Sequence, residues 1–558
     1  MSVPRISTAL AAISDASGVN VAFDGSILTV NGNAVELPAK LTGERGELFG
    51  IDGLLPTVPR ADDRDKLLWR VVAEATPGET AGLLGDRALE TELEKRLAFS
   101  AEASRVAAAA LKDRFFNRKP LRVLLPVHAS LPLNYRHTSK KGVASRYRMF
   151  NGGIVPFLLW DAETKSVDAG LLEQLLTMVA DDKELTPLDR HFLKVVLDGA
   201  PNADAVPDAA ALIVAYETEF REGLREVGGA FCQPSLELFR RDLQTVLDTN
   251  LPRPDKIQWL TLLVSLHLAI RLYRIAVVKG GELDAAVAAA GQLDLPAGAG
   301  RCPCPRAGGS TPDCLQQCML AGMLRFRTGS GSYRPVSLRD GCRTAYIEVD
   351  QRRLLDMPAT LVTASLASRA WQALGGGEAA RRRDLNALSD ALAADPGLRT
   401  AHGAACAAIA VLHHDAWRNG VSTPGELGDV ARIGPNRPGL HALRDDVRKM
   451  RSKDLRHQSR DIINQLMLDE NVGRAGSLVT RNGTHGFYEL DEQLLLLLVR
   501  LICRDRQIPY ERFLEGLRSY GLAPQDEQER EALADALERL GLLARYSDAG
   551  EASFVHYA

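Results

Sequence analysis

The segment IQWLTLLVSLHLAIRLYRIAVV, Ile257 to Val278, is the most apolar run in the chain. It offers two folds: a bilayer span, or a helix buried at the centre of a large helical core. Gln258, Thr261, Ser265 and His267 interrupt the run, and Arg271 and Arg274 end it short of the roughly 20 apolar residues a span needs. The sequence therefore predicts a buried central helix. A chain of 558 residues is too long for one hydrophobic core, so several domains are expected. The first residues, MSVPRISTALAAISDASG, lack a basic stretch followed by an apolar one. With no span and no leader, the reading is a cytoplasmic protein without membrane contact, its thiols reduced.

The expected fold class is mainly α and multidomain. Residues 1–60 form a small N-terminal β element, because VNVAFDG and SILTVNGNAVEL alternate apolar and polar residues around a Val-Asn-Gly turn. Residues 61–280 form a helical domain, carried by ETELEKRLAFSAEASRVAAAALKDRFF, GLLEQLLTMVADD, PSLELFRRDLQTVLDT and the Trp259 helix. Residues 281–350 hold a linker, which begins in the Gly- and Pro-containing KGGELDAAVAAAGQLDLPAGAGR, and then a cysteine cluster. Residues 351–470 form a second helical domain with a weaker break at GGGEAARRRD. The Gly- and Asn-rich loop NVGRAGSLVTRNGTHG then opens a C-terminal module over 471–558.

RCPCPRAGGSTPDCLQQC places Cys302, Cys304, Cys314 and Cys318 within one short segment, half of the chain's eight cysteines. Ser310 or Thr311 can cap a helix, Pro312 suits its first position, and Asp313 follows in the first turn. Cys314 and Cys318 then share a helical face near a terminus that favours thiolate. Four thiolates suit structural Zn²⁺ or an iron–sulfur cluster, and the spacing matches neither a C-x2-C zinc pair nor a ferredoxin run. Unligated thiols are the third reading. Cys342 is a substitute ligand; Cys232, Cys406 and Cys503 are isolated and read as small buried residues.

The net charge of −3 confines any nucleic-acid surface to a local patch. From Lys112 to Arg148 there are ten basic residues against one acid, Asp113. Arg114, Arg118, Lys119, Arg136, Lys140, Lys141, Arg146 and Arg148 are the candidate phosphate contacts. Phe115, Phe116, Tyr135 and Tyr147 lie among them, and cations with stacking rings are what single strands need. The plainer alternative is a solvated basic face. A second stretch, Arg444 to Arg460, has seven basic residues and three acids, with Arg444, Arg448 and Arg451 along one helical side.

The C-terminal module reads as a helix from about Asp491 to Cys503, a second opened by Pro509, a third from about Gln525, and a hairpin over ARYSDAGEASFVHY. That is the winged-helix arrangement. Its third helix carries Asp526, Glu527, Glu529, Glu531, Asp535 and Glu538 against Arg530 and Arg539 only. Such a helix is repelled by phosphates, so the module is expected to dock a protein, with Arg545 the one candidate DNA contact on the wing. Phosphate-binding, hydrolase-elbow, H-E-x-x-H and dinucleotide signatures are missing. His413, His414 and Asp415 are a conceivable metal set. Neighbours on a helix point in different directions, however, which favours surface or half-buried histidines. Glu348 and Asp350 alternate on an expected strand and raise the rival reading of a metal-dependent nuclease. A winged-helix transcription regulator is the third.

GFYELDEQLLLLLVRLICRD, IPYERFLEGLRSYGL and LERLGLLARYSDAGEASFVHY resemble the C-terminal region of DptG-type proteins, subunits of bacterial DNA phosphorothioation-dependent restriction systems. Similar subunits belong to methylation-associated phage-defence systems. The resemblance implies a non-catalytic partner of an ATPase or helicase, acting on DNA that lacks the host's modification. It carries over no catalytic residues.

Overall fold

The computed structural model describes residues 3–38, 158–161, 166–181, 232–291, 351–434, 437–450, 480–482, 485–487, 492–524, 526–546 and 553–557, with isolated positions between 102 and 107, between 185 and 214, and at 314–315. These residues are mainly helical, with small antiparallel sheets.

The chain opens with helix α1, Val3–Ser17, whose Ile6, Leu10 and Ile13 form one buried face. A three-stranded meander follows: β1 Val21–Phe23, β2 Leu28–Val30 and β3 Asn33–Val35. Asn31 and Gly32 join β2 to β3 with φ of 50° and 81°, the two left-handed positions of a tight hairpin turn. The β element is thus present as expected; α1 before it was not foreseen.

Strands β4 (Trp160–Asp161) and β5 (Ser166–Val167) lead into α2, Ala169–Ala180, capped by Asp168, and then α3, Gln233–Leu247. Helix α4, Arg253–Ala290, contains the apolar run. Its 38 residues span about 57 Å at about 1.5 Å per residue. Gly280 and Gly281 do not end it, although the sequence reading starts a linker there. A mid-helix glycine costs about 1 kcal/mol relative to alanine, and here Gly280 makes room for the Arg353 side chain. A Cβ at Gly280 would lie 2.6 Å from Arg353 Nη1.

Six helices follow: α5 Gln351–Ala373, α6 Gly377–Arg381, α7 Leu385–Ala394, α8 Pro396–Trp417, α9 Pro424–Ala431 and α10 Gly439–Met450. Capping fixes several starts. Asp384 and Asp395 accept from backbone N–H groups, and Thr423 with Glu426 forms a capping box at α9. Between α10 and the C-terminal elements, β6 Thr480–Asn482 pairs with β7 His485–Phe487, so a hairpin stands inside the stretch expected to be a loop.

The last elements are α11 Glu492–Cys503, β8 Ile508–Pro509, α12 Tyr510–Ser519, α13 Glu527–Arg539, β9 Leu543–Arg545 and β10 Ser553–Val555. β10 lies between β8 and β9 in one antiparallel sheet. The three helices and the hairpin agree with the sequence reading; β8, which makes the sheet three-stranded, was missed.

Among the described residues there are two hydrophobic cores. One joins α2, α3 and the first part of α4 to the C-terminal elements. The other joins α1, β1–β3, the last part of α4 and helices α5 to α10. Helix α4 belongs to both. Asp284, in its second half, pairs with Arg353 of α5 at 2.7 Å and with Arg444 of α10 at 3.1 Å. No helix among the described residues is long and apolar enough to cross a membrane.

Candidate functional site

Cys302, Cys304 and Cys318 lie outside the described residues, as do Arg114, Arg118, Lys119, Arg136, Lys140, Lys141, Arg146, Arg148, Glu348 and Asp350. Cys314 is described: it is buried and disulfide-bonded. Cys232, Cys406 and Cys503 are free among the described residues. Among the described residues no group of three or more His, Cys, Asp or Glu is arranged to hold a metal ion. The second basic stretch is committed within the fold where it is described, since Arg444 binds Asp284 and Arg448 binds Asp356.

His413 and His414 are buried, contrary to the surface or half-buried expectation. Both turn to one carboxylate on the neighbouring helix α10. His413 Nδ1–H donates to Asp446 Oδ2 at 2.6 Å, and His414 Nδ1–H to Oδ1 at 2.8 Å. Burial alone would raise the Asp446 pKa. The two hydrogen bonds and the histidines' charge outweigh it and hold the carboxyl below its usual value. Asp415 is also buried, but its carboxylate makes no hydrogen bond among the described residues and does not join this cluster. The arrangement fixes both imidazole tautomers and cross-links α8 to α10. Asp446, the residue that organises it, carries no signal in the sequence.

A second buried polar cluster fastens the C-terminal elements to α3 and α4. Asp242 has no exposed surface. It accepts from Tyr520 Oη at 2.6 Å, from His267 Nε2 at 3.0 Å and from Arg241. Burial pushes the Tyr520 pKa well up, and the Asp242 charge adds to this, so the phenol stays a donor. Burial lowers the His267 pKa against the opposing Asp242 hydrogen bond. Arg274, also buried, donates to Ser519 O. Trp259 meets the Tyr557 ring edge-on at 6.0 Å, and Arg500 lies 5.1 Å over the same ring.

The surface of the C-terminal elements is electrically two-sided. On α13, Glu527, Glu531, Asp535 and Glu538 are exposed, and Asp526 caps the helix. Two of the nearby cations are already engaged, while Arg539 at the last turn is exposed. Arg530 binds Glu511 and Glu527, and Arg545 of β9 binds Asp535 at 3.4 Å and Glu538 at 3.3 Å. Arg545, the wing residue singled out as a DNA contact, is turned back onto the acidic helix. Elsewhere on these elements a groove of about 630 Å³ runs between α11, α12 and α3, lined by Arg241, Arg504, Arg506 and Arg512.

No protein-family model matches the chain, and no curated protein matches it.

Proposed function

We propose that this chain is a non-catalytic, DNA-engaging scaffold subunit of a bacterial anti-phage restriction complex of the DptG type, working in the cytoplasm with an ATPase or helicase. The C-terminal elements are read as a winged-helix domain, on their order of helix, strand, two helices and two strands with the middle sheet position taken by the last strand. The observation that carries the proposal is the charge of α13. A recognition helix that reads DNA needs free cations, whereas this one exposes four carboxylates, with Arg530 and Arg545 paired to its acids and only Arg539, at its last turn, left as an exposed cation. It suits a basic protein surface. That argues for docking and against a winged-helix transcription regulator.

DNA contact is assigned to the Lys112–Arg148 segment, and in its reduced form the Cys302, Cys304, Cys314 and Cys318 cluster is assigned structural Zn²⁺, with an iron–sulfur cluster as the alternative. The full chain should bind a labelled duplex weakly, regardless of sequence, with affinity falling steeply as salt rises. Reversal of Arg136, Lys140 and Lys141 to Glu should lower the salt slope by about 0.9 per lost contact. Tight sequence-specific binding would instead restore the regulator. Metal analysis after purification without oxygen should find zinc with no visible colour, lost in Cys314→Ser; iron with sulfide would select the cluster, and no metal would remove the assignment.

A further inference from the structure

Four arginines converge on the groove beside α11 and α12, and two of them are uncommitted. Of the groove's acids, Asp505 is bound by Arg500 at 2.6 Å and Glu515 by Arg512 at 2.9 Å. Arg241 is held on Asp242. Arg504 and Arg506 are exposed and have no side-chain partner among the described residues. They stand on an ordered turn. Arg504 N–H donates to Arg500 O at 2.8 Å, Arg506 N–H donates to Cys503 O at 3.1 Å, and Arg504 adopts φ 55°. The backbone hydrogen bonds and the left-handed Arg504 fix the points from which both side chains leave the turn.

The same turn holds an aromatic ring in the open. Gln507, between Arg506 and Ile508 of the groove wall, donates to Tyr546 Oη at 3.2 Å. Tyr546 is 66% exposed and rests edge-on against Phe554 at 5.6 Å. Arg545 ends β9 and Tyr546 follows it, and the two side chains go to different partners. Arg545 goes to the acidic helix, and Tyr546 goes to Gln507. Free cations in a groove with an exposed ring one residue from its rim are the two components of single-strand binding: charge for phosphates and a platform for a base. An acidic peptide would use the cations and leave the ring without a role.

We infer that this groove and Tyr546 bind a single strand of nucleic acid, phosphates on Arg504 and Arg506 and a base on the ring. The inference rests on the DNA-engaging reading above but adds a site that the basic Lys112–Arg148 segment does not contain. It places the strand on the C-terminal domain itself, away from the helix that such domains ordinarily use.

The test is fluorescence anisotropy of the full chain with a labelled oligothymidylate, across a salt series. Arg504→Glu with Arg506→Glu should weaken binding at least about tenfold and lower the salt slope by about 0.7 per lost contact. Tyr546→Ala should weaken it about fivefold or more, and Tyr546→Phe should restore it, since the ring stacks without its hydroxyl. All these side chains are exposed or half-exposed, and unchanged circular dichroism melts would show the fold intact. Wild-type affinity in the groove variants, with binding abolished by reversal of Arg136, Lys140 and Lys141, would overturn this site and leave the DNA-engaging reading standing. Binding of polyglutamate rather than oligothymidylate would overturn it in favour of an acidic peptide. Self-association lost in the groove variants, without strand binding, would assign the groove to α13 of a second copy. No binding to either nucleic acid by the wild type would remove both readings.

Discussion

His402 has no exposed surface, and its Nε2–H donates to Ala367 O at 3.0 Å. Burial lowers its pKa to about 4, against the smaller opposing pull of that hydrogen bond. In the unfolded chain the ring takes a proton near pH 6.5; in the native protein it does so only near 4. Between these values the unfolded state binds more protons, so stability falls as pH falls, by about 3 kcal/mol in all. Urea midpoints measured from neutral pH down to about 4 should show this slope, and His402→Leu should flatten it. Asp446 acts in a different window. Its folded pKa lies below the ordinary carboxylate value, so its contribution is complete above that value and is lost only as pH drops further. Neither effect can be read from the sequence. A histidine announces its chemistry there but not its burial, and the partners of His413 and His414 lie on another helix.

At the scale of elements, the contact between α8 and α10 is limited by two glycines. A Cβ on Gly439 would lie 1.7 Å from Gly403 O, closer than atoms can approach, and backbone on both sides leaves nothing to move aside. Gly439→Ala must separate the helices and pull Asp446 from His413 and His414. A loss of about 3 kcal/mol is expected, read as a lower thermal midpoint. Helices were the legible part of the sequence because their apolar spacing and caps are local. Helices α11, α12 and α13 were anticipated near their observed bounds, whereas Trp259's helix was anticipated but runs twelve residues past Val278, to Ala290. Glycines misled. Gly280 and Gly281 look like a break, but they lie in a helix, where Gly280 makes room for Arg353. Strand β8 was missed since two residues, Ile508 and Pro509, carry no periodicity; only pairing with β10 makes them a strand. The charge asymmetry of α13 was legible, while the groove was not, because Arg241 joins it from a distant helix.

At the scale of the whole molecule, the described residues form two cores threaded by α4. The first core is closed by residues far apart in the chain. Tyr520 reaches Asp242 across 278 positions, and Arg274 reaches Ser519. At about 5–20 residues per second, a ribosome needs about 15 s to a minute to make the intervening chain. For that interval Leu260, Leu263, Leu266 and Ile270 of α4, all buried in the finished protein, await the helices that complete their core. Asp242 and His267 wait for the phenol that completes their network. The central helix is thus made early and sheltered late. A chain cut before Glu492 would keep α4 and never acquire the elements that hide it.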